Sequence, residues 1–94
     1  MKASDALQTA KSLITGDRAR THGPALENHM NIAALWSAYL GHEISPFQAC
    51  IMMAQLKIAR TKTGEDNDDD LIDAIAYLAL AAQIRAEIKA NGTR

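Results

Sequence analysis

Apolar residues recur every three or four positions in four separate stretches of the chain, which is the spacing of amphipathic α-helices. The predicted helices cover about residues 4–15, 24–40, 46–63 and 69–91. Glycine, which commonly terminates helices, stands near the end of each stretch. The pattern predicts one all-α domain of four helices over residues 1–94.

The third helix has the clearest beginning in the sequence. Ser45 can cap it, Pro46 suits its first position, and Gln48 can reach back to the backbone of the capping residue. For the first helix, Ser4 or Asp5 is the expected cap, because short polar side chains accept hydrogen bonds from unpaired amides at a helix start.

The amino-acid composition supports a helical fold and reduces the classes of molecule that we expect the protein to bind. Hydrophobic residues make up 48% of the chain and aromatic residues 4%, and alanine, leucine, isoleucine and methionine dominate the apolar part, which favours helix packing over β-sheet. The formal net charge is −1. Without a broad positive field, polymeric DNA or RNA is not an expected partner.

Targeting and redox features point to the cytosol. The amino terminus has no uninterrupted apolar core of the kind that a signal peptide needs. The longest apolar run, Ala74 to Ala82, is too short to span a bilayer, so no membrane association is expected. The single cysteine, Cys50, lies in an apolar stretch and is expected to be a buried, inert thiol.

The fourth helix predicts self-association. From Leu71 to Ala82 its only charged residue is Asp73, and a helix that is apolar on nearly every side is expected to be buried on every side. A chain of this size can hardly cover it, so we expect a homo-oligomer, most simply a symmetric dimer. Trp36 and Tyr39 are expected to lie in the core rather than to form a platform for a base.

Acidic residues form one candidate metal site. Asp69, Asp70 and Asp73 can share a helical face, and clustered carboxylates suit Mg²⁺, which also binds substrate phosphates. Glu27 is a further candidate ligand if it faces inward. The alternative is a solvated acidic helix start, in which Asp73 pairs with a base and Glu27 is exposed.

Basic residues form the matching candidate phosphate site. Lys57 and Arg60, three residues apart, could fork around a phosphate, or they could neutralise the aspartates across a helix interface. Arg18, Arg20 and His22 precede a helix start, where free amides favour anions. These three can equally be ordinary loop residues.

Five segments together resemble a family of small phage and prophage proteins that is itself similar to the MazG-like all-α nucleotide pyrophosphohydrolases. The segments are Arg20–Pro24, Glu27–Asn28, Ile32–Leu40, Lys57–Arg60 and Asp69–Tyr77. In those enzymes, a glutamate pair on one helix and a Glu-x-x-Asp pair on the next hold Mg²⁺ against a nucleotide triphosphate. The resemblance implies an oligomeric MazG-like helical bundle that binds a nucleotide.

Residue by residue, the resemblance implies that Glu27, Asp70 and Asp73 hold the metal. Met30 stands three residues after Glu27, where the enzymes have another carboxylate. Hydrolysis to monophosphate and pyrophosphate would therefore use a metal site one ligand short. Two alternatives remain: a phage anti-defence sponge that sequesters a cyclic nucleotide immune signal without cleaving it, and an interaction module whose charges are structural pairs.

Overall fold

The computed structural model describes residues 1–16 and 24–92. Within these ranges the chain forms four helices and no β-strand, which confirms the all-α prediction. The helices are α1 (Ala3–Thr15), α2 (Ala25–Leu40), α3 (Pro46–Thr63) and α4 (Asp69–Ala90).

Hydrogen bonds between side chains and backbone fix the connection between α2 and α3. The Gln48 backbone N–H donates to Ser45 Oγ over 3.1 Å, and the Ser45 N–H donates to Gln48 Oε1 over 2.9 Å. Upstream, Gly41 ends α2 with a φ of +66°, and the Ile44 N–H donates to Ser37 Oγ over 2.8 Å. The reciprocal cap that the sequence predicts for α3 is therefore present.

The start of α1 differs from the prediction that Ser4 or Asp5 caps it. The helix begins earlier, at Ala3, so both residues lie inside its first turn. The Asp5 carboxylate reaches back to accept a hydrogen bond from the Lys2 backbone N–H over 3.2 Å. An acid in this position satisfies an amide ahead of the helix and also complements the helix dipole, so it favours the earlier start.

Helix α4 is the central element and packs against each of the other three helices. One cluster of buried residues joins α1 to α4 through Ala10, Ile72 and Ala76. A second joins α3 to α4 through Cys50, Ala81 and Ile84. Much of the core is alanine, and such small side chains let helix backbones approach closely, which holds α3 and α4 in a fixed alignment.

The other described helices do not cover α4 on every side, as we expect for a single chain of this size. Its coverage by a second copy stays a prediction. Leu71 and Leu78 are 52% and 47% exposed, because the neighbouring helices leave one face of α4 open. Within the described residues, we find no helix that combines the length and the apolar content needed to cross a bilayer.

The two aromatic residues of α2 do not both lie in the core, contrary to expectation. Trp36 is half-buried, whereas Tyr39 is 90% exposed. The buried side of α2 is defined by His29 and Ala33, and Tyr39 lies on a different side of the helix. Spacing alone did not show which side of α2 would be covered.

The Cys50 thiol is fully buried, as the sequence predicts, and burial raises its pKa to about 11. Because only a thiolate attacks a disulfide reagent, native Cys50 should react about a hundredfold more slowly at pH 8 than an exposed cysteine. The rate should rise with pH up to about 11 and reach the normal value once denaturant unfolds the chain. Absorbance assays with an aromatic disulfide reagent measure this, and fast labelling of the native protein would contradict the buried position.

Candidate functional site

Two ion pairs connect the last turns of α3 to the first turns of α4. Lys57 Nζ lies 3.1 Å from Asp73 Oδ2, and Arg60 Nε lies 3.4 Å from Asp70 Oδ1. We call these four residues the charge ladder. The structure therefore brings together both cations and both carboxylates that the sequence singles out on these helices.

The ladder follows from antiparallel helix packing. Along α3 the cations are three residues apart, and along α4 the carboxylates are three residues apart in the opposite direction. Residues at this spacing lie on one face of a helix. When two such helices pack antiparallel, the alignment that brings Lys57 next to Asp73 also brings Arg60 next to Asp70.

The two ion pairs of the charge ladder, which we call its rungs, differ in their exposure to solvent. The Lys57 and Asp73 side chains are 16% and 19% exposed, so this pair lies largely inside the helix interface. Asp70 is 8% exposed, whereas its partner Arg60 is 61% exposed. The ladder thus has an inner rung and an outer rung, and the Arg60 guanidinium can exchange its carboxylate for a ligand without crossing the core.

The remaining acids predicted to hold a metal are not assembled with the ladder. Glu27 is exposed in the first turn of α2, and Asp69 is exposed at the start of α4. Among residues 1–16 and 24–92, no three histidine, cysteine, aspartate or glutamate residues are grouped closely enough to hold a metal ion. The ladder itself contains two carboxylates, and each is paired with a cation.

The basic segment ahead of α2 contains three further residues that the sequence predicts as phosphate ligands. Arg18, Arg20 and His22 lie outside the described residues, so the structure places none of them. They stay predictions.

Sequence reasoning missed a buried histidine on α2. His29 is 2% exposed, and its Nδ1 lies 2.8 Å from the Ala25 carbonyl oxygen, which can only accept a hydrogen bond. Nδ1 therefore carries the proton, and Nε2 is a buried acceptor with no partner among the described residues. The ring packs edge-on against Tyr77 of α4, with centroids 6.1 Å apart. Its position four residues before Ala33, on the same apolar stripe, was the available signal.

Comparison with known proteins shows that the chain is similar to phage proteins. Gene 55 protein of Mycobacterium phage L5 is 39% identical over 80 residues, which is 84% of this chain and 51% of that protein. Gene 55 protein of Mycobacterium phage D29 is 36% identical over 81 residues, which is 86% of this chain and 54% of that protein. The chain is thus a relative of phage proteins, and it spans about half their length.

The family itself is defined by a match over most of the chain. Residues 5–85 match the domain of unknown function DUF6378, and the chain belongs to that family. The resemblance to small phage proteins is confirmed. No solved structure matches the chain.

The inner rung allows a direct test of its structural contribution. Replacing Asp73 with Ala strands Lys57 in the helix interface and should lower the free energy of unfolding by about 3–5 kcal/mol. Replacing both residues together, Lys57→Met with Asp73→Leu, should recover most of that loss because Lys57 is no longer left buried without its carboxylate. Urea unfolding monitored by circular dichroism measures both.

The exposed neighbour Asp69 provides the control for this test. Asp69→Ala removes an acid from the same helix start and should change stability by less than about 0.5 kcal/mol. If Asp73→Ala were equally mild, the inner rung would not be a buried ion pair.

Proposed function

We propose that the protein binds a nucleoside di- or triphosphate together with Mg²⁺ at the charge ladder, within a MazG-like helical bundle. The observation that supports this most strongly is the pairing of two adjacent carboxylates with two adjacent cations across α3 and α4. The second support is the resemblance of the sequence to nucleotide pyrophosphohydrolases.

Charge balance is the physical argument for this ligand. A magnesium–phosphate group offers positive charge to carboxylates and negative charge to cations at the same time. Asp70 and Asp73 would turn to the metal, while Lys57 and Arg60 would turn to phosphate oxygens. Every ion pair that opens is replaced by another, so none of the four groups is stranded in the interface.

Arg60 and Lys57 would take different parts in binding. Arg60, which is 61% exposed, can present a planar pair of donors to an incoming phosphate at the solvent side. Lys57 is a compact charge held inside and would contact a phosphate only after the ligand has entered. Arg18, Arg20 and His22, which precede α2 in the sequence, would add further donors.

Cleavage to monophosphate and pyrophosphate is the activity that the resemblance implies. Bound Mg²⁺ would supply charge neutralisation for the attack of water on a phosphorus atom. Asp70 and Asp73 would position the metal, with Glu27 as the third ligand if a rearrangement or a second copy brings it near. Nucleotides and Mg²⁺ are abundant in the cytoplasm of a bacterial host, where we propose that the protein acts.

Binding without cleavage is the second candidate. Met30 stands where the enzymes have a second carboxylate on this helix. Glu27 is exposed, and among the described residues it belongs to no group of acids that could hold a metal ion. A protein that holds a nucleotide but lacks a complete metal site would sequester it. A cyclic nucleotide immune signal is the ligand that suits such an anti-defence role.

Incubation with nucleotides separates these functions. Purified protein is mixed with nucleoside triphosphates and with cyclic di- and trinucleotides, with and without Mg²⁺, and the bound species are identified after heating. An enzyme should release monophosphate and pyrophosphate only with Mg²⁺. A sponge should return its cyclic nucleotide intact. If no nucleotide binds or turns over, the ladder is purely structural and the proposal is wrong.

A matched pair of variants on α3 tests whether the ladder is the binding site. Arg60→Gln removes a charged phosphate donor and should weaken binding about 10- to 100-fold. Lys62→Gln removes another exposed positive charge two residues away and should leave affinity nearly unchanged. Calorimetric titration measures both, after circular dichroism has shown that each variant is folded. Equal losses in the two variants would indicate non-specific attraction.

A further inference from the structure

The outer face of α2 is an apolar surface that the described residues, 1–16 and 24–92, leave uncovered. We define it by Asn31, Ala34, Leu35, Ala38 and Tyr39, all of which are exposed and which the helical spacing places on one side. Leu35 is 71% exposed and Tyr39 is 90% exposed. Between Asn31 and Tyr39 no residue of this face is charged, and the exposed Glu27 lies one turn before Asn31 on the same side.

The shape of this face is complementary to itself. Two large side chains, Leu35 and Tyr39, lie next to two alanines, Ala34 and Ala38, one turn apart. A two-fold axis brings the same surface of two molecules together, so an interface of this kind needs projections and depressions in the same patch. The outer face of α2 has both, and it contains no charge that would repel its own copy.

The exposed area is close to what a specific dimer requires. With Leu35 and Tyr39 so exposed, the face and its flanking residues present on the order of 500 Å² of apolar surface per chain. Two such faces would bury about 1,000 Å² in total, which is near the lower limit for specific interfaces. The largest apolar patch on a monomeric protein is typically about 300–600 Å² and is often functional, so a patch of this size is a candidate interface.

We infer that the outer face of α2 binds a second copy of this chain, with the two α2 helices antiparallel and the two-fold axis between Leu35 and Ala38. Leu35 of one copy then packs against Tyr39 of the other, while the alanines allow the backbones to approach. The face lies on a different helix from the charge ladder, so this dimer does not depend on the proposed nucleotide site.

Two variants of comparable leucines test which surface mediates association. Sedimentation equilibrium should show the unmodified protein as a dimer at micromolar concentrations. Leu35→Glu places two buried charges at the interface and should raise the dissociation constant at least about 30-fold. Leu78→Glu changes a half-exposed leucine on α4 and should leave the dimer intact.

Cysteine cross-linking tests the position of the axis. Ala38→Cys places a thiol close to its counterpart, so mild oxidation should give a disulfide-linked dimer. Glu27→Cys lies near the start of α2, and its two copies would be about 25 Å or more apart, so it should not cross-link. The native Cys50 is fully buried and does not compete.

The results divide clearly. A dimer dissociated by Leu35→Glu and captured by Ala38→Cys supports the interface. A monomeric protein, or a dimer dissociated by Leu78→Glu and not by Leu35→Glu, overturns it. Should Leu35→Glu lose its helical circular dichroism, the cross-linking decides, and failure of Ala38→Cys to link overturns the inference.

Discussion

Close packing of α3 against α4 is the constraint on which the rest of this structure depends. Ala49, Ala54 and Ala81 are each at most 2% exposed, and such small side chains let helix backbones approach. At this separation, a lysine or arginine of one helix can reach an aspartate of the other. Larger core residues would move the helices apart and separate the two rungs of the charge ladder.

The charge ladder places polar chemistry inside an otherwise apolar interface. Burying Asp70 costs free energy unless its charge is paired, and Arg60 supplies the pairing from the solvent side. We propose that the arrangement that satisfies these charges in the free protein also accepts a metal–phosphate ligand, since both need adjacent acids opposite adjacent bases. Structural and ligand-binding roles therefore do not exclude one another here.

A core built largely of alanine has a consequence for the surface. Most of the buried apolar residues are alanines, whereas several large apolar side chains are exposed on the surface. Among these are Leu35, Tyr39 and Leu78. Burying these side chains away from water would be favourable, and folding of the single chain does not bury them. Self-association through α2 would bury some of them, whereas the open face of α4 would stay available.

The sequence by itself determined the helices and the types of residue in the ladder. Spacing of apolar residues and local capping are properties of short segments, so the helix limits agreed with the structure within one residue, and the Ser45 cap was present. Lys57, Arg60, Asp70 and Asp73 were identified as candidates because charges at three-residue spacing share a helix face.

Only the tertiary structure decided which faces meet. Whether Lys57 and Arg60 pair with the aspartates depends on how α3 lies against α4, and that alignment comes from contacts between distant segments. For the same reason the sequence placed Tyr39 in the core and missed the burial of His29. A helical pattern shows that one side is apolar, but the volume of the neighbouring helices determines how much of that side is covered.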